Sequence, residues 1–139
     1  MKLRLQFAAA ILTAGALALP MGSQAQAPMP KPERVQFAKG TSSKAIKGTL
    51  KGDQSRTFLV NLRAGQKMTV KLVSNNASAN FNVTGPGAME AMFIGSVSGN
   101  EFVDTIPSSG DYKIDLFLMR NAARRNESVS FTITIGATG

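Results

Sequence analysis

Three arginines crowd into one short stretch of this chain. They are Arg120, Arg124 and Arg125, in "MRNAARRN". A guanidinium presents a planar fork of donors that bonds both oxygens of a carboxylate, so such a cluster suits acidic groups. Just upstream, "PSSGDY" places Ser109 and Gly110 in a turn ahead of the sole tyrosine, Tyr112. A tyrosine behind such a corner commonly bonds back to the backbone, a role that does not exclude contact with a partner. The arginines equally suit a solvated loop that keeps a turn soluble.

The remaining composition removes most other chemistry. There is no histidine and no cysteine. That excludes Ser-His-Asp and Cys-His nucleophiles and the common zinc ligands. The eight acids include Asp111 and Asp115 on one strand face, with Lys113 between them. This reads as a charge-balanced solvated surface, not the facing carboxylates of a glycosidase. "TGPG" follows a strand, but no helix pattern follows it as a phosphate loop requires. Asn76, Asn82 and Asn126 match the glycosylation acceptor pattern by chance. The chain reads as a non-enzyme with no cofactor and no metal.

The elements that must position these residues alternate with a period of two. "RVQFAKG", "KAIKGTLKG", "TFLVNL", "KMTVKLV", "ANFNVTG", "YKIDLFL" and "VSFTITI" each set apolar residues on one face. Glycine, proline and asparagine turns separate them. The pattern predicts an all-β domain, an antiparallel β-sandwich of seven or eight short strands with little or no helix. Residues 88–96, "AMEAMFIGS", fit either a helical turn or an irregular strand.

Lys2 and Arg4, an apolar run ending before Pro20, and Ser23-Gln24-Ala25 read as a secretory signal peptide cleaved after Ala25. The run is shorter than the ~20 residues a spanning helix needs, so no membrane insertion is expected. Residues 26–33 hold three prolines and read as a flexible lead-in. Residues 34–139 form the domain, stabilised by packing and pairing without disulfides and expected to be monomeric. The net charge is +8. Without Lys2 and Arg4, 14 basic residues face 8 acidic ones, a net +6. Nucleic acid is not expected as the partner of an exported chain with no tryptophan and one tyrosine.

From Val35 to about Ile135 the chain resembles the periplasmic bacterial inhibitors of g-type lysozyme. It is also similar to the related inhibitors of i-type lysozyme. The resemblance is carried by "FAKGTSS" (37–43), "GTLKGDQSRTFLVNLRAGQKMTVKL" (48–72), "GPG" (85–87), "PSSGDYKI" (107–114) and "RNAARRN" (120–126). It implies a periplasmic β-sandwich whose loops occlude the substrate cleft of a g-type or i-type lysozyme. Ser109 and Tyr112, with Gly110 between them, match the serine and tyrosine that the family uses in inhibition. Arg120 and Arg124 match an arginine pair four apart, and Arg125 adjoins them. Gln54 stands where the g-type pattern has an aromatic residue. Sandwich modules appended to secreted peptidases share the "KGD…AGQ…PxSGxY" skeleton. The alternative reading is therefore a non-catalytic module, like a pre-peptidase C-terminal domain, that binds glycan, cell wall or protein.

Overall fold

The computed structural model describes residues 31–139. The expected signal peptide (1–25) and most of the lead-in lie outside the described residues. The elements are β1 (Glu33–Arg34), β2 (Ser43–Lys51), β3 (Ser55–Leu62), β4 (Lys67–Ser74), β5 (Ala79–Thr84), β6 (Ala91–Ile94), α1 (Gly95–Ser98), β7 (Glu101–Thr105), β8 (Gly110–Leu118), α2 (Arg120–Arg124) and β9 (Ser128–Thr138). They form two sheets, ordered β1-β3-β8-β5-β6 and β2-β9-β4-β7. Every pairing is antiparallel except the short β1–β3 contact. The all-β sandwich read from the alternation is the fold observed.

The period of two explains the core. On β8, Tyr112, Ile114, Leu116 and Leu118 point inward, and on β9 Val129, Phe131, Ile133 and Ile135 meet them. Phe58, Val60, Leu62, Met68, Val70 and Leu72 complete the layer from β3 and β4. One open side of the sandwich is sealed by rings. Phe93 stacks on Phe81 at 5.0 Å and meets Phe102 edge-on at 5.3 Å.

The other side is sealed by a charge. Arg56 points inward from β3, its guanidinium 5.2 Å from the Phe58 ring centre and 5.6 Å from that of Phe131. Stacking on aromatic faces compensates part of its lost hydration. Glu33 completes the site, accepting from Arg56 Nε at 2.8 Å and Nη2 at 2.7 Å. Gly48 opposite leaves the room, since a Cβ there would strike Arg56 Nη1.

Four local expectations change. Residues 35–41 are not a strand. The Val35 N–H donates to the Leu59 carbonyl at 2.7 Å, and the chain then crosses from one sheet to the other. Val35 and half-buried Phe37 line that crossing, which imitates strand alternation. Glu33, assigned to the lead-in, is already paired with β3. Residues 101–105 form β7, which the sequence hides because Phe102 is the only buried residue in it. The ambiguous 88–96 stretch contains both a strand, β6, and the start of the helical turn α1.

Candidate functional site

The expected site residues fall into two groups, one at each end of β8. At its start, the Tyr112 ring is fully buried and its hydroxyl donates to the Ser108 carbonyl oxygen at 2.6 Å. Ser109 Oγ accepts the Ala64 N–H at 2.9 Å, tying the turn to the β3–β4 connection. Gly110 has φ +143, and a Cβ there would meet Pro86 at 2.8 Å. These residues fasten three connections into one end of the sandwich. Tyr112 presents no surface to a partner.

At the far end of β8, the chain leaves one sheet for the other through α2. The inward-facing β8 ends at Leu118, and Met119 N–H donates to the Ser78 carbonyl at 2.8 Å. Ala122 is fully buried and anchors the turn to the core. Arg120 and Arg124 are exposed and four apart, the spacing of neighbours on one helix face. Among the described residues, neither forms an ion pair.

Arg125 differs. Its Nε donates to Glu127 Oε2 at 2.6 Å, while Asn76 Nδ2 donates to Glu127 Oε1 at 3.0 Å. The Asn76 amide, and after it the Arg125 guanidinium, holds the Glu127 carboxyl below the ordinary glutamate range. Arg125 therefore steadies the loop with a charge already answered. Asn76 was visible in the sequence only as a chance acceptor site. Its pairing spans two loops and leaves no local signal.

The "KGDQ" turn between β2 and β3 docks beside α2. Gly52 N–H donates to the Glu127 carbonyl at 2.8 Å. Gly52 has φ +62, and a Cβ there would meet Asn126 Oδ1 at 2.5 Å. Asn126 itself is left-handed, with φ +55. Gln54 Oε1 accepts the Lys51 N–H at 3.0 Å, which closes the turn. One end of the sandwich thus gathers Arg120, Arg124, Arg125, Lys51 and Gln54.

The other three expected residues are not part of that surface. Nine strand residues separate Gly110 from Leu118 inclusive. At ~3.3 Å per residue its eight steps put the two ends about 26 Å apart. Ser109 lies in the turn that enters β8, and Arg120 lies in the turn that leaves it.

No family model matches the chain. The curated inhibitor of g-type lysozyme from Escherichia coli (strain K12) is 29% identical over 104 residues, which is 73% of this chain and 77% of that protein. A crystal structure of the Aeromonas hydrophila periplasmic inhibitor of g-type lysozyme shares 34% identity at a TM-score of 0.72. The match covers 78% of this chain and 97% of that one. The chain belongs to the periplasmic g-type lysozyme inhibitor family. The Salmonella Typhimurium family member matches at 28% identity and a TM-score of 0.61, covering 78% of this chain and 98% of that one. The family's named members are inhibitors and not enzymes, in keeping with the residue content. Within this family fold, α2 and the "KGDQ" turn present exposed Arg120, Arg124 and Lys51, with Asp53 beside them in the turn.

Proposed function

We propose that this protein is exported to the periplasm and inhibits g-type lysozyme by inserting the α2 end of its sandwich into the substrate cleft. The observation that carries the proposal is the pair of exposed, unpaired guanidiniums of Arg120 and Arg124 on a turn anchored by buried Ala122. A lysozyme cleft carries a catalytic glutamate and commonly a second carboxylate. A forked donor desolvated against a carboxylate contributes far more than it does in water. The net +6 gives no steering toward a basic lysozyme, but that repulsion is screened over ~8 Å at physiological salt.

The roles within the site then divide. Arg120 and Arg124 contact the cleft acids. Arg125 holds the loop through Glu127. Ser109, Gly110 and Tyr112 secure the opposite end of the scaffold. The working unit is a monomer occupying one cleft.

The test is lysis of bacterial walls by g-type lysozyme, followed by turbidity, with and without the purified protein. Lysis should slow at micromolar inhibitor. An i-type and a c-type lysozyme serve as comparisons. Unchanged lysis by the g-type enzyme would remove the proposal, and unchanged lysis by all three would leave a binding module without inhibitory action.

A further inference from the structure

The outer face of the β2-β9-β4-β7 sheet carries a second basic feature, far from Arg120 and Arg124 for most of its length. Lys47 and Lys51 project from β2, and Lys67 and Lys71 from β4. All four are exposed. Among the described residues, none forms an ion pair. Glu101, opposite Lys71 on β7, is the nearest acid in the register.

The register orders these charges. Lys51 lies opposite Ser128, and Lys47 opposite Thr132. Lys71 lies opposite Thr134, and Lys67 opposite Thr138. Strands rise ~3.3 Å per residue and lie ~4.8 Å apart. Within each strand the two lysine positions are therefore about 13 Å apart, and Lys47 to Lys71 across β9 is about 12 Å. The result is an evenly spaced diagonal of four ammonium groups running the length of the sheet. The outward hydroxyls of Ser130, Thr132 and Thr134 lie along its middle. A shallow trough of about 660 Å³ runs between Lys47 and Val73 over Ser130 and Thr132.

We propose that this diagonal binds the wall glycan, a linear polymer whose recurring peptide stems bear carboxylates. Evenly spaced point charges match a polymer whose acids recur along its length. Neutral hydroxyls between them match sugar hydroxyls, which an all-lysine surface would not. A lipid surface is the poorer fit, because this face carries no outward aromatic side chain among the described residues, and interfacial proteins favour such anchors. Binding to the wall polymer would hold the protein where a lysozyme must arrive, raising its effective concentration there. The assignment stands apart from lysozyme inhibition, since Lys47, Lys67 and Lys71 lie on a different surface from α2.

The probe is insoluble peptidoglycan sacculi, mixed with the purified exported protein at low salt and sedimented. The protein should pellet with sacculi and be released by added salt. The triple variant Lys47→Gln, Lys67→Gln, Lys71→Gln should lower binding by about fivefold or more, as expected of three exposed charge contacts. Its thermal midpoint, and any inhibition of lysozyme acting on a soluble oligosaccharide, should be retained. The single variants Lys47→Gln and Lys71→Gln should each give part of the loss. Sacculi whose carboxylates have been converted to amides should bind weakly. The proposal is overturned if wild type stays in solution, if the triple variant pellets like wild type, or if amidated sacculi bind equally. Binding to phosphatidylglycerol vesicles in place of sacculi would assign the face to a membrane surface instead.

Discussion

The Tyr112 hydroxyl donates to the Ser108 carbonyl oxygen at 2.6 Å, four residues back along the chain. This single contact decides what the "PSSGDY" motif does. It turns the start of β8 into a fastener, with the ring packed in the core and the bonded carbonyl in the turn. Tyr112→Phe keeps the ring and removes only that bond. A hydrogen bond of this kind contributes about 1 kcal/mol, so stability should fall by about that much. Inhibition per folded molecule should not change. Denaturant unfolding beside a lysis assay checks both, and weakened inhibition at unchanged stability would return Tyr112 to the contact surface.

Arg120 and Arg124 should behave in the opposite way. Exposed side chains away from the core usually contribute within ~0.5 kcal/mol to folding. The double variant Arg120→Ala, Arg124→Ala should therefore unfold like wild type. A charged group desolvated in a complex can be worth ~2–5 kcal/mol there. A loss of about 2 kcal/mol is roughly thirtyfold in affinity. Titrating g-type lysozyme with both proteins measures the ratio, and equal inhibition would make "MRNAARRN" a solvated turn only.

Gly52 links the two halves of the α2 end. Gly52→Ala adds strain at φ +62 and places a Cβ 2.5 Å from Asn126 Oδ1. Such a change at a left-handed position typically destabilises by about 1 kcal/mol or more. The "KGDQ" turn should also move off α2, weakening inhibition beyond the stability loss. Comparison with Gly65→Ala isolates the second effect. Gly65 is also left-handed, at φ +91, but has no atom near its Cβ position and lies at the other end.

Asp111 should govern the acid limb of stability. The bidentate contact with Arg34, at 3.0 and 2.9 Å, and then the Asn61 amide lower its pKa from 3.8 to about 2. A carboxyl whose folded pKa is depressed stabilises the fold above its unfolded pKa. That contribution is lost as pH falls through the folded value. The thermal midpoint should therefore drop between pH 3.8 and about 2, and Asp111→Asn should flatten that part of the profile. The group is exposed, so added salt should shrink the effect.

Local pattern alone determined the class of fold. Alternation in "YKIDLFL" and "VSFTITI" commits one face of each segment to the interior, because side chains on a strand alternate sides whatever its partners are. Absent histidine and cysteine excluded most catalysis for the same reason, that chemistry needs the atoms. Strand partners were not legible. Residues 35–41 alternate like a strand yet cross between sheets, and β7 pairs with β4 despite one buried residue. The site divided along the same line. Ser109 and Arg120 lie in one short stretch, and the family resemblance assigned both to lysozyme binding. Only the extension of β8 between them, about 26 Å of it, sends them to opposite ends. Likewise Gly52, Asn76 and Glu127 are far apart in the chain and meet through contacts that no local pattern encodes. Nearness in sequence is a statement about covalent bonds, whereas nearness in space depends on which buried faces pack together.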